Sequence, residues 1–115
     1  MSKIRIVVKK EGMFAPPVVQ EMEKGLENMK AIVGGWLECP HIPGLAEEGI
    51  DLWCNEEGKF NGSKPNFMLP WGDTVHGAVF FASSNDEGDT IGLSDAQVAF
   101  VKSWMGAQPQ AIVLG

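Results

Sequence analysis

Residues 50–59 read IDLWCNEEGK, an apolar run followed by a polar turn. The run from Ile50 to Cys54 is short, apolar and partly alternating, which predicts a well-buried β-strand. Asn55 favours a turn because its side chain can bond nearby backbone groups, and Gly58 favours one because glycine can adopt a positive φ. The stretch therefore predicts a central strand that ends in a tight, polar turn.

The segments on either side predict further strands and two helices. Apolar or β-branched runs predict strands over residues 4–8, 18–22, 36–39, 75–82 and 90–93. Helical spacing of apolar residues predicts one helix that begins near Leu26 and ends at Gly34-Gly35, and another that follows Ser94 and ends at Gly106. Ser94 and Gln97 have the spacing of a capping box.

Two stretches lack a strand or helix pattern and are predicted to be loops, residues 41–49 and residues 55–73. The second is rich in Asn, Gly and Pro but also holds apolar side chains, so we expect an ordered loop with at most one helical turn. The order of elements predicts an α+β fold, a mainly antiparallel sheet of five to six strands with two amphipathic helices.

The length of 115 residues fits one domain, predicted over residues 1–106, followed by an apolar tail over residues 107–115. The run from Ala111 to Leu114 is too apolar for a free linker. It predicts either an edge strand on the chain's own sheet or a strand added to a neighbouring subunit, and the second alternative would make a homo-oligomer.

Negative charge dominates the chain, with a formal net charge of -6. No Lys or Arg occurs between Ala31 and Gly58, whereas six carboxylates do: Glu38, Glu47, Glu48, Asp51, Glu56 and Glu57. This pattern is typical of a solvated acidic face, of a surface for a basic partner, or of a partial mimic of a nucleic-acid backbone. It argues against direct binding of DNA or RNA, because no basic stripe is present to contact phosphates.

The expected location is the cytoplasm. No run of about 18 apolar residues is present, so the sequence predicts no membrane span. Only two cysteines occur, and the N-terminus does not have the pattern of a signal peptide. We therefore expect free thiols in a reducing compartment.

Chemical motifs are weak throughout the chain. Cys39, His41, Cys54 and His76 could supply zinc ligands, but they lack the paired spacing of structural zinc sites. Residues 86–89 carry three carboxylates without the remaining ligands of a calcium loop. Glu56 and Glu57 are adjacent and point apart, and no nucleophile elbow or phosphate-binding loop is present. The sequence therefore predicts no metal site, cofactor or catalytic residue.

The turn that follows residue 54 has two alternative interpretations. It can be purely structural, or it can present polar groups beside an aromatic-rich loop, as in a small polar pocket with apolar walls. In the second case the ligand or protein partner would contact six polar residues and three aromatic ones: Asn55, Glu56, Glu57, Lys59, Asn66, Asp73, Trp53, Phe67 and Trp71.

The order of motifs resembles a family of small proteins of unknown function that is frequent in phages, plasmids and integrative conjugative elements. The matching elements are Val33-Gly34-Gly35-Trp36-Leu37-Glu38, residues 54–59, Pro65-Asn66, Gly72-Asp73-Thr74-Val75-His76-Gly77 and residues 87–97. The resemblance covers residues 3–105 and implies a viral or mobile-element origin, hence the cytoplasm of the host cell.

Small acidic proteins of such elements often counter host defence, and the resemblance therefore implies a non-enzymatic binding protein acting in counter-defence or host regulation. The partner would be a protein or a small nucleotide-like ligand. Two alternatives remain at this point, an enzyme acting on a nucleotide or small metabolite, and a structural accessory protein that assembles through its tail.

Overall fold

A computed structural model of the chain describes residues 3–58, 62–69 and 71–107. The strands and helices follow one another as β1 (Lys3–Lys9), β2 (Val18–Glu23), α1 (Leu26–Val33), β3 (Leu37–Glu38), α2 (Pro43–Ala46), β4 (Ile50–Asn55), β5 (Pro65–Met68), β6 (Thr74–His76), β7 (Val79–Ser84), β8 (Thr90–Ile91) and α3 (Asp95–Ala107). The predicted α+β class, with a mainly antiparallel sheet, is confirmed.

The main sheet has six strands, in the order β2-β1-β7-β4-β3, with β8 paired to β7. Every pairing in it is antiparallel. Strand β7 lies at its centre, where Phe81 is opposite Val7 on one side and Leu52 on the other. Central position and burial on both faces explain why the first four residues of β7, Val79 to Ala82, are all apolar.

Helices cover the two faces of this sheet. Met29 and Val33 of α1 pack with Phe80 on one face. On the other face, α3 contributes Val101 to a cluster that includes Phe81. Neighbouring residues of a strand point to opposite faces, so the pair Phe80-Phe81 anchors one ring in each layer.

Both predicted helices are confirmed, together with the signals at their ends. Gly34 adopts φ 81° and donates its N–H to Lys30 O at 2.8 Å, which closes α1. At the start of α3, Ser94 N donates to Gln97 Oε1 at 2.9 Å and Gln97 N donates to Ser94 Oγ at 3.1 Å. The helix continues through Ala107, one residue beyond the predicted end.

The stretch 41–49, predicted to be a loop, contains the short helix α2. Pro43 occupies its first turn, a position that suits proline because the missing N–H has no helical partner there. Ile42 and Leu45 are buried in the core. One turn of helix carries too few residues for a periodic pattern, so the prediction of two helices missed the third.

The stretch 55–73 is also more regular than predicted. It contains β5, which pairs with β6 as a separate two-stranded sheet, called here the β5–β6 hairpin. The single strand predicted over residues 75–82 is likewise wrong, because it is interrupted between β6 and β7. Gly77 adopts φ 86° there, a conformation that interrupts an extended strand and that glycine accepts without strain.

The predicted tail begins inside α3, because Ala107 is that helix's last residue. Residues 108–115 lie outside the described residues, so the prediction of an added strand from Ala111 to Leu114 stays a prediction. No helix in the described part of the chain is long and apolar enough to cross a membrane.

Candidate functional site

The turn after β4 is organised by the side chain of Asn55. Its Oδ1 accepts a hydrogen bond from Glu57 N at 2.8 Å, and its Nδ2 donates to Val33 O at 3.3 Å. Gly58 N closes the turn on Asn55 O at 3.1 Å. The amide of Asn55 is buried and used inside the protein, where it joins the turn to the end of α1.

Gly58 brings this turn against the β5–β6 hairpin. A Cβ atom at this position would lie 2.5 Å from His76 O, well inside the contact distance of two heavy atoms. Gly58 is not among the glycines with positive φ, so the expectation of a left-handed conformation is wrong. The position requires glycine because two backbones approach each other closely.

Asn66 holds the same hairpin to the main sheet. It is fully buried, and the two hydrogens of its Nδ2 are shared among three main-chain carbonyls, Lys9 O at 3.2 Å, Lys10 O at 3.2 Å and Gly77 O at 2.8 Å. Lys9 Nζ in turn donates to Gly12 O at 2.7 Å and to Asn66 O at 3.3 Å. Burial lowers the pKa of the Lys9 ammonium. Asn66 thus joins strand β5 to the end of β1 and to the residue that follows β6.

The three aromatic residues of the predicted site do not lie together. Phe67 is buried against Trp104, with ring centroids 5.7 Å apart and planes at 87°. Trp53 stacks on Phe80 in the cluster on the opposite face of the main sheet. Trp71 is 53% exposed. Phe67 and Trp53 therefore belong to two different hydrophobic clusters, on opposite faces of the main sheet.

An open cleft of about 250 Å³ lies between the β3–β4 pair and β6. Its lining consists of Glu38, Pro40, Cys54, Asn55, Glu56, Gly58, Leu69, Asp73, Thr74, Val75 and His76. Three of these residues carry carboxylates and none is a Lys or Arg, within the described part of the chain. The cleft is therefore acidic.

The cleft includes only part of the predicted residue set. It contains Asn55, Glu56 and Asp73, whereas Glu57 and Asn66 are not in its lining. Lys59 lies outside the described residues. Sequence reasoning missed Glu38 as a cleft residue, although the register that places Glu38 opposite Cys54 brings it there. No local pattern in the sequence specified this pairing, because a loop and α2 separate residues 36–39 from β4.

The two thiols of the chain are not activated. Burial, together with the negative charge of Glu38, raises the pKa of Cys54 to about 12. Burial and the nearby Asp51 raise the pKa of Cys39 to about 11. Both groups are therefore protonated at neutral pH, whereas a nucleophilic cysteine reacts as the thiolate. Among the described residues, no group of three or more His, Cys, Asp or Glu is placed to hold a metal ion.

The profile of DUF3846, described as a domain of unknown function, matches residues 4–106. The chain belongs to the DUF3846 family. This match confirms the predicted membership in a family of unknown function. The matched residues include the turn after β4, the β5–β6 hairpin and both walls of the cleft. No curated protein and no solved structure matches the chain.

Replacing Asn55 with alanine is expected to lower the free energy of unfolding by about 2 kcal/mol, because Val33 O and Glu57 N would lose their partners and part of this network is buried. Urea unfolding of the variant measures the loss. Asn28→Ala is a matched control, since the side chain of Asn28 donates to Glu23 O at an exposed position, and it should change stability by less than about 0.5 kcal/mol. Equal effects of the two changes would contradict a structural role for Asn55.

Proposed function

We propose that this DUF3846 protein is a non-enzymatic binding protein of a phage or other mobile element, and that it binds a basic segment of a host protein through the acidic cleft. Its biological role would be counter-defence or regulation of the host. The observation that carries the proposal is the convergence of Glu38, Glu56 and Asp73 on one concave surface. These residues come from β3, from the turn after β4 and from the segment before β6.

The charge distribution around the cleft supports a cationic partner. The segment 31–58, which supplies one wall of the cleft, contains no Lys or Arg. A cleft with charges of one sign attracts groups of the opposite sign and accelerates their association. A basic protein segment would gain from this field at every step of its approach.

The same charges disfavour a nucleotide-like ligand. Its phosphates would meet Glu38, Glu56 and Asp73 without a cation among the described residues that line the cleft. An enzymatic function has no support from the thiols either, since both are protonated at neutral pH. The assembly alternative depends on the tail of residues 107–115 and stays a prediction.

The proposal is tested with a fluorescent peptide of alternating lysine and arginine, titrated with the protein and followed by fluorescence anisotropy. The variant carries Glu38→Gln and Glu56→Gln, which remove two cleft carboxylates without changing side-chain length. We expect the dissociation constant to rise about tenfold, because each exposed ion pair contributes up to ~1 kcal/mol. The wild-type affinity should fall as salt is added, since exposed charges are screened.

The matched control carries Glu47→Gln and Glu87→Gln, two exposed carboxylates that do not line the cleft. It has the same net charge as the cleft variant, because both start from -6 and lose two negative charges. We expect its affinity to stay within about twofold of wild type. Equal losses in the two variants would refute the cleft as the site, because they would show a response to net charge alone.

A further inference from the structure

Phe14, in the connection between β1 and β2, is the most exposed large apolar residue in the described part of the chain. It is 86% exposed, whereas large aromatic side chains usually lie in cores or interfaces. Val18 and Val19, which begin β2, are also exposed. Strand β2 is at an edge of the main sheet, and an uncovered apolar edge is prone to pair with another chain. Phe14 and the start of β2 thus form an apolar patch that would gain from a cover.

A groove of about 250 Å³ lies between the loop that carries Phe14 and the end of α3. Apolar residues from both elements line it: Met13, Phe14, Ala15, Pro17 and Met105. Gly106 also lines the groove, and α3 ends one residue later, at Ala107. The chain therefore leaves its last helix at the groove itself. None of these residues lines the acidic cleft, so the two sites are independent.

The segment that follows α3 has the composition and the reach to fill this groove. Residues 108–115, which lie outside the described residues, contain no charged side chain, and residues 111–114 read AIVL. Pro109 disfavours a helical conformation in the residue before it, so the helix is not expected to continue. An extended chain spans about 3.4 Å per residue, so Leu114 can lie up to about 24 Å from Ala107. The apolar run is therefore within reach of the groove.

We infer that residues 111–114 pack into this groove of the same chain and cover Phe14. A segment attached at the rim of its own site has a high effective concentration there, so a small apolar contact is enough to hold it. The tail then also shields the start of β2 from pairing with other chains. This inference goes beyond the proposed function and does not depend on it.

Two lysines in the groove lining are compatible with an apolar occupant. Lys9 Nζ donates to two main-chain carbonyls, Gly12 O and Asn66 O, so its charge is engaged by the fold. Lys102 is exposed, and its long side chain can pack along an apolar surface while its ammonium stays in water.

Thermal unfolding of the full chain tests the inference through a double-mutant cycle between Phe14 and the tail. Phe14→Ala should lower the Tm by about 4–8 °C, because the ring would lose its contact with the tail. In a chain that already carries Ile112→Ser and Leu114→Ser, Phe14→Ala should change the Tm by less than about 2 °C. The dye ANS, which binds exposed apolar surface, should fluoresce more with the double-serine variant, and adding Phe14→Ala should reduce that rise.

Two matched controls accompany the cycle. Gln108→Ser with Gln110→Ser changes the same number of tail residues but no apolar one, so Phe14→Ala should keep its full effect in that background. Leu26→Ala alters an exposed apolar residue of α1 that does not line the groove. It should shift the Tm equally with the natural tail and with the double-serine tail.

An equal effect of Phe14→Ala with the natural tail and with the double-serine tail would overturn the inference. Light scattering decides between the chain's own tail and the tail of a second copy. A monomer that retains the coupling supports packing within one chain. Coupling that grows with protein concentration, in a protein that scatters as a dimer, would overturn it, because the groove would then hold the tail of another copy.

Discussion

Replacing Asn66 with alanine is expected to lower the free energy of unfolding by about 3 kcal/mol. The Nδ2 group of Asn66 donates to Lys9 O, Lys10 O and Gly77 O, and the residue is fully buried. Without it, these carbonyls lose their donor where water has little access. Each buried group left unpaired costs about 1–3 kcal/mol.

One effect opposes this loss. The Oδ1 atom of Asn66 is buried without a hydrogen-bond partner among the described residues, so the substitution also removes an unpaired acceptor. Asn66→Asp separates the two contributions, because it keeps the size of the side chain and replaces the donors with a second oxygen. At neutral pH we expect Asn66→Asp to be at least as destabilising as Asn66→Ala, since a carboxylate would face three carbonyl oxygens.

Urea unfolding of wild type, Asn66→Ala and Asn66→Asp measures the cost of losing the Nδ2 donors and the gain from removing the unpaired Oδ1. Asn85→Ala is the matched control, because Asn85 also uses its side chain for several hydrogen bonds, to Glu87 N at 3.0 Å and Asp89 N at 2.9 Å, but in an exposed turn. Water can replace those partners, so we expect a loss of about 1 kcal/mol or less. A loss below about 1 kcal/mol for both Asn66 variants would contradict the role of Asn66 in joining the hairpin to the sheet.

Gly58→Ala is expected to destabilise the protein by about 2–3 kcal/mol, the cost of forcing an extra methyl group into a tight contact. The added Cβ would meet His76 O at 2.5 Å and Asn55 O at 3.3 Å. Both are backbone atoms, which cannot rotate away as a flexible side chain would. Either the turn after β4 or strand β6 must therefore move, and the cleft between them changes with it.

The matched control is Gly106→Ala, in α3. A Cβ at that position meets nothing within 4 Å, and alanine favours a helix over glycine by up to about 1 kcal/mol. We therefore expect Gly106→Ala to leave stability unchanged or to raise it slightly in thermal and urea unfolding. A Gly58→Ala protein as stable as wild type would show that the two backbones can separate at little cost.

The sequence predicted the strands and helices whose residue patterns lie within one short stretch of the chain. Strands β1, β2 and β4 and helices α1 and α3 each contain enough apolar residues for a pattern, and the capping box of α3 lies within four residues. Strand β5 has no such pattern, because Pro65 and Asn66 are turn-forming residues. It is held by contacts over a long sequence separation, since Asn66 and Lys9 are 57 residues apart.

The candidate site was predictable to a smaller extent. The turn that follows β4 and the acidic character of its surroundings were evident in the sequence, but the roles of individual residues were not. From the sequence, the side chain of Asn55 could either bind a ligand or close a turn. The structure shows that its amide forms a hydrogen bond within the protein, to Val33 O. The register of β3 against β4, which brings Glu38 into the cleft, depends on pairing that no local pattern specifies.

The two walls of the cleft belong to different sheets, β4 to the main one and β6 to the β5–β6 hairpin. The β4 wall is therefore part of the main sheet, where a shift in strand register would disturb the neighbouring strands. The other is the β5–β6 hairpin, which Asn66 joins to that sheet through the carbonyls of Lys9 and Lys10. Under the proposed function, a partner held by Glu38 and Asp73 would contact both sheets, so its binding would oppose any separation of the hairpin from the main sheet.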